Sequence, residues 1–248
     1  MSPALSGKQV DRRVLGGFLF ANAVTGASVT DPLAVSNTDL QLRVNRSGVY
    51  AIFDAPGFDN LTTEFDLQGD WPATGQSFEV TVEDPSLRYL DRRAKVQAPQ
   101  SIATLTTPQK VFLYPSPSGE VEPNWAIVRA TVTGTSGSGL PWAIVQIIKS
   151  DKTVIATGMT DARGEALLAV AGLGLQVSAD AAGTVTEITI AVAIQAWFDP
   201  STLQQPAGWI PNPDDILNNL PNPALKTGTF AGALGPGQIL FASITVSV

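Results

Sequence analysis

The stretch from Gly139 to Gly172 alternates short runs of β-branched and apolar residues with turn signals. Residues 143–148 and 153–157 form two such runs, and the charged segment 149–152 separates them. This arrangement predicts a β-hairpin. The motif Thr160-Asp161-Ala162-Arg163-Gly164 then predicts a tight turn into a third strand. A chain with this pattern has to pack sheets against each other, and we expect a β-sandwich here.

The composition indicates a folded chain and excludes several kinds of chemistry. Of the 248 residues, 44% are hydrophobic and 15% are charged, so the chain can bury enough apolar surface to offset its ordering entropy. It contains no cysteine and no histidine, which excludes disulfides, thiol nucleophiles, the Ser-His-Asp triad and most zinc chemistry. We expect no cofactor and no enzyme activity. The low charged fraction implies a surface that is unusually neutral or covered by a partner.

The net charge of −7 leaves little basic surface for nucleic acid or anionic lipid, and we expect neither as a partner. One local cluster of basic residues alternates with acids, and it predicts either a solvated or salt-bridged rim or a partner contact. Its members are Arg88, Arg92, Arg93 and Lys95.

The N-terminal residues carry no targeting signal that we can identify. Residues 1–8 lack a long apolar core behind a positive flank, and the apolar run 15–24 is too short to span a bilayer. We therefore expect a cytoplasmic protein without membrane insertion.

Short strand patterns recur along the chain at spacings of about 8 to 15 residues, which is typical of sandwiches and open barrels. In one of them Phe78, Val80 and Val82 alternate with polar residues, which predicts one buried face. Prolines spread through residues 99–123 indicate an extended connector that holds one strand. We predict an all-β protein with two antiparallel β-sandwich domains, at 1–98 and 124–248.

A long proline-rich segment precedes the last predicted strand. We call residues 199–237 the arm. Within it, Asn212 followed by Pro213, Asp214 and Asp215 predicts the start of a short helix. The arm is too apolar for a solvated linker, and we expect it to pack either on its own domain or on a neighbouring subunit. Its candidate partner-binding residues are Trp209, Ile210, Ile216, Leu217, Leu220 and Phe230.

The acidic residues have simpler explanations than chemistry. Four of them suggest a calcium site, but their spacing matches no calcium loop, and we expect turn residues instead. These four are Asp54, Asp59, Asp66 and Asp70. Asp161 is expected to accept backbone N–H groups in its turn, and Asp214 and Asp215 to complement a helix dipole.

The sequence from Gly139 to Leu168 resembles the carboxypeptidase regulatory-like, transthyretin-like β-sandwich family. A Gly-x-Pro strand start at Gly139-Leu140-Pro141 and the Thr160-Asp161-x-x-Gly164 turn carry this resemblance. It implies that residues 124–248 form such a sandwich, used mostly as a scaffold.

The whole chain resembles accessory proteins of phage-tail-like contractile injection systems. Turn motifs carry this resemblance, among them Asn45-Arg46-Ser47-Gly48, Asp54-Ala55-Pro56-Gly57 and Asp84-Pro85-Ser86. It implies a structural subunit at the cap or baseplate region, in a cytoplasmic assembly that is released within an extracellular particle. Its partners would be other subunits, in a homo-oligomer or a hetero-assembly. The alternative is an adhesive module that binds carbohydrate through Trp71, Trp142 and Trp209.

Overall fold

A computed structural model describes residues 14–59, 61, 71–72, 75–101, 103–173, 177–179, 185–187, 189–206 and 208–248. Their regular secondary structure is nearly all β-strand, which confirms the predicted all-β class. Among them no helix is long and apolar enough to cross a membrane.

The described residues of the N-terminal sandwich form seven strands in two sheets. The strands are β1 Gly16–Asn22, β2 Ala34–Ser36, β3 Gln41–Val44, β4 Val49–Asp54, β5 Gln76–Glu83, β6 Arg92–Ala98 and β7 Gln109–Leu113. The order is β3-β4-β1-β7 in one sheet and β2-β5-β6 in the other. Strand β5 shows the predicted alternation, since Val80 and Val82 are buried while Glu79 and Glu83 are exposed. The apolar faces of the two sheets meet in a core around Phe18, Phe20 and Ile52.

In the C-terminal sandwich, the part of the chain that the structure describes also forms seven strands in two main sheets. The chain supplies β8 Ala126–Gly134, β9 Ile144–Lys149, β10 Val154–Met159, β11 Glu165–Val170, β12 Val177–Ala179, β13 Val185–Glu187, β14 Ile190–Phe198, β15 Lys226–Leu234 and β16 Ile239–Val246. The order is β10-β9-β14-β15 in one sheet and β11-β8-β16 in the other, while β12 and β13 form a separate hairpin. The core between the sheets includes Val128, Ile147, Leu168, Ile194 and Ile244.

The two sandwiches have the same strand pairing except at the third strand. In each of them the first strand (β1 or β8) pairs in parallel with the last (β7 or β16) and antiparallel with the fourth. If the β12–β13 hairpin is left out of the count, the second, fifth and sixth strands also correspond. They form the antiparallel ladders β2-β5-β6 and β9-β14-β15. Only the third strand differs, because β3 joins β4 whereas β10 joins β9. Each sandwich therefore contains one parallel pair of strands, whereas the sequence predicts antiparallel domains.

The segments between the sandwiches are shorter than the sequence suggested. Strand β7 falls inside the predicted connector 99–123 and belongs to the N-terminal sheet, so only residues 114–125 link β7 to β8. Likewise, β15 falls inside the predicted arm and pairs with β14 along its whole length, from Lys226 to Leu234. The arm is therefore residues 199–225.

Candidate functional site: the arm at the junction of the two sandwiches

The arm leaves β14 through a turn and enters the junction between the two sandwiches. A 3-10 helix, Pro200–Gln204, follows the cap residue Asp199, whose side chain accepts from Ser201 N at 2.9 Å. The helix α1, Pro213–Leu217, follows the cap Asn212, whose Oδ1 accepts from Asp214 N at 3.2 Å. The predicted helix start at Asn212 is confirmed.

The arm covers the start of the free edge of β6, an outer strand of the N-terminal sandwich. The backbone N–H of Arg93 donates to Pro211 O at 2.6 Å, and Arg93 Nε donates to Ile210 O at 2.6 Å. The Arg93 guanidinium also lies 5.1 Å from the centre of the Trp209 ring, a cation–π distance. Because a free strand edge exposes unpaired backbone groups, the arm protects this edge at Arg93, whereas the Gln109 side chain binds its backbone farther along.

Arg92 is fully buried at this junction, with 0% of its surface exposed. Its guanidinium donates to Phe112 O at 2.6 Å and to Asn212 Oδ1 at 3.3 Å, and it forms an ion pair with Asp214. A buried guanidinium is stable only when carboxylate and carbonyl oxygens occupy its donors. The arm supplies two of these groups, so Arg92 links it chemically to the N-terminal sandwich.

The sequence predicts a solvated or salt-bridged rim, or a partner contact, for the basic cluster. Arg92 has a salt bridge, but it is fully buried rather than on a rim. Lys95 and Arg88 behave as a rim, since Lys95 forms an exposed ion pair with Asp215 at 2.7 Å and Arg88 pairs with Asp31 at 2.6 Å. The signal that identifies Arg92 is its register in β6, where Arg92, Ala94 and Val96 share the buried face.

An apolar cluster lies beside this polar network, and we call it the junction cluster. Its buried residues are Tyr114, Ile144 and Met159, and its partly buried residues are Ala23, Leu90, Trp142, Trp197, Ile216 and Leu217. Ile144 and Met159 come from the C-terminal sandwich, whereas Ala23 and Leu90 come from the N-terminal sandwich. The helix α1 therefore packs its apolar side chains on both sandwiches at once.

Burial shifts the pKa of one residue in the junction cluster. It raises the pKa of the Tyr114 phenol to about 12, against a smaller lowering effect of the nearby Arg92 charge. Tyr114 is therefore a neutral, structural side chain at physiological pH. Two buried nitrogens near it, Trp197 Nε1 and Asn212 Nδ2, have no hydrogen-bond partner among the described residues.

The six predicted partner-binding residues separate into two groups. Trp209, Ile210, Ile216 and Leu217 lie on their own chain at the junction, and Leu220 is half-buried three residues after the end of α1. Phe230 lies apart from them in β15 and packs against the core of the C-terminal sandwich. Within the single chain the arm packs at the junction of the two domains rather than on its own domain alone. Its docking on a neighbouring subunit stays a prediction.

The remaining acidic candidates differ in their roles. Asp54 is the last residue of β4, and its Oδ2 accepts from Gln41 Nε2 at 3.1 Å rather than from a turn amide, contrary to the prediction. Asp161 Oδ1 accepts from Arg163 N at 2.8 Å and from Glu165 N at 3.0 Å, as predicted. Gly164 ends this turn with a φ of 82°, a left-handed conformation that favours glycine. Asp66 and Asp70 lie outside the described residues. In the part of the chain that is described, no group of three or more carboxylates could hold a metal ion.

Asp84 shows the same behaviour in a buried turn. Burial alone would raise its pKa, but hydrogen bonds from Ser86, Tyr89 and Arg88 hold the pKa of this carboxyl below its ordinary value. A lowered pKa on a carboxylate whose oxygens receive backbone N–H groups indicates a structural anion rather than a proton donor.

Comparisons with known proteins add little to this description. No protein-family model matches the chain, and no curated protein matches it. Among solved structures, the Bacillus anthracis TIE protein is similar over 94% of this chain and 34% of its own, at 11% identity and a TM-score of 0.27. The chain thus spans about a third of that neighbour's length, and a TM-score this low supports no conclusion about fold or function.

Proposed function

We propose that the protein is a non-enzymatic structural subunit of a large assembly of the phage-tail-like contractile injection type. In this proposal the C-terminal sandwich is a carboxypeptidase regulatory-like scaffold. The assembly forms in the cytoplasm, at the cap or baseplate region, and leaves the cell within the particle. One observation carries the proposal: the arm fixes the two sandwiches to each other within one chain, through the buried Arg92 and the junction cluster. Such a fixed body suits a subunit that must hold neighbours at a set spacing.

The arm stays a candidate contact with neighbours, although Ile216 and Leu217 already pack in the junction cluster of their own chain. The outer face of β16 is a second candidate contact, because Phe241 is 71% exposed and Ile239 is 51% exposed. Two neighbouring apolar side chains on one exposed strand face are candidates for a protein contact.

The carbohydrate-binding alternative receives less support from the described residues. Trp71 is half-buried and donates from Nε1 to Gln100 O at 2.7 Å. Trp142 belongs to the junction cluster, and Trp209 packs beside Arg93. The three rings are therefore used separately in packing, and they form no common platform on the described surface.

The proposal predicts that the chain co-purifies with a large particle from its native source. An affinity-tagged chain, expressed at its natural level, should elute with particles that negative-stain microscopy shows. A variant with both Phe241→Ser and Ile239→Ser should elute mostly as free protein, because it lacks the exposed apolar contact. Leu87→Ser, on the other sandwich and equally exposed at 71%, is the matched control and should remain particle-bound. Recovery of the tagged wild-type chain only as a monomer would refute the proposal.

A further inference from the structure

A groove of about 510 Å³ lies on the outer face of the sheet that contains β8 and β16. The parallel register places Arg129 beside Phe241, and Thr131 beside Ser243. Ser118, from the segment that links the two sandwiches, forms part of the rim. A volume of this size is within the range of ligand and peptide sites.

The groove contains an exposed aromatic ring, Phe241, and a cation with free hydrogen-bond donors, Arg129. Phe241 is 71% exposed. Arg129 is half-buried and donates from Nη1 to Pro117 O at 2.6 Å, but it forms no ion pair with a carboxylate of the described residues. Arg163, on the opposite wall, differs because it pairs with Asp161 at 3.1 Å and with Glu165 at 2.9 Å. Arg129 therefore retains free donors for a carboxylate from outside.

We propose that this groove binds a peptide segment of a neighbouring subunit that carries a carboxylate next to an apolar side chain. The inference rests on the proposed function and adds the chemistry of the contact. The carboxylate pairs with Arg129, and the apolar side chain covers Phe241. These two groups lie on adjacent strands, about 4.8 Å apart in the sheet direction, so one short segment reaches both.

The same residues indicate which partner fits the groove. Glu165 already pairs with Arg163, so Arg129 is the groove cation that has no carboxylate partner among the described residues. One such cation suits a single carboxylate rather than the many charges of a nucleic acid. Phe241 lines the groove beside Arg129, so an apolar side chain next to that carboxylate can cover the exposed ring.

Peptide binding to the purified full-length chain tests the inference. The probes are two dye-labelled peptides, Gly-Ser-Leu-Asp-Leu-Phe-Ser-Gly and its counterpart with Asn in place of Asp, measured by fluorescence anisotropy at low salt. We expect the Asp peptide to bind about tenfold more tightly, because a charge-assisted hydrogen bond contributes that much. Arg129→Gln should abolish the difference, Arg129→Lys should retain part of it, and Phe241→Ser should weaken both peptides.

Arg43→Gln is the matched control, because Arg43 also lies beside a phenylalanine, 5.1 Å from the Phe53 ring centre, on the other sandwich. It should leave both affinities unchanged. Equal binding of the two peptides, or an Asp preference that survives Arg129→Gln, overturns the inference. Preferential binding of a hyaluronan oligosaccharide also overturns it, in favour of an adhesive module. These measurements use isolated protein, so their failure leaves the particle experiment to judge the proposed function separately.

Discussion

Replacing Asp214 with alanine should lower the free energy of unfolding by about 2–3 kcal/mol, because the substitution leaves the buried Arg92 charge without its carboxylate. The cost of breaking a fully buried pair is higher, but the Asp214 side chain is 43% exposed, and water compensates part of the loss. Urea unfolding followed by tryptophan fluorescence measures the change.

The neighbouring acid provides a matched control for this prediction. Asp215 also lies in the first turn of α1, but its partner Lys95 is exposed, with side-chain exposures of 53% and 55% for the pair. Asp215→Ala should cost less than about 1 kcal/mol, as exposed ion pairs do. Equal losses in the two variants would mean that the Arg92 ion pair has no special role in holding the arm.

The double substitution Ile216→Ser with Leu217→Ser should also destabilise the protein by about 2–3 kcal/mol, because it removes partly buried apolar side chains from the junction cluster. We expect the single unfolding transition to separate into two, since each sandwich has its own core and the double variant loses the apolar contact between them. Differential scanning calorimetry measures both effects.

Leu203→Ser is the control within the same arm, because Leu203 is 55% exposed and belongs to no buried cluster of the described chain. It should change the free energy of unfolding by less than about 0.5 kcal/mol. A double variant that unfolds like Leu203→Ser, in one transition, would contradict the view that the arm joins the sandwiches.

Local patterns predicted the parts of this fold that local physics determines. The alternation around Val80, the Asp161 turn and the Asn212 helix cap depend on residues close in sequence, and each was recognised. Pairing between strands that are distant in sequence was not recognised, because nothing near β1 or β8 specifies a parallel partner that lies far along the chain.

Strand β15 was missed for a different reason. Its sequence is rich in small residues, so it lacks a strong apolar alternation. The structure explains one of these small residues, Gly228. The backbones of β15 and β16 approach closely there, and a Cβ on Gly228 would lie 2.4 Å from Thr245 O, so the position requires glycine. The position of the arm was unpredictable for a similar reason, because its apolar composition fits a neighbouring domain and a neighbouring chain equally well.

The distance between the two sandwiches tests the central claim most directly. The chain has no cysteine, so spin labels can be attached at Ser47→Cys and Ser150→Cys, two exposed turn positions on different sandwiches. Electron–electron double resonance should give one narrow distance distribution for this labelled protein. The distribution should broaden when Ile216→Ser and Leu217→Ser are added. An equally broad distribution in both proteins would contradict a fixed body held by the arm.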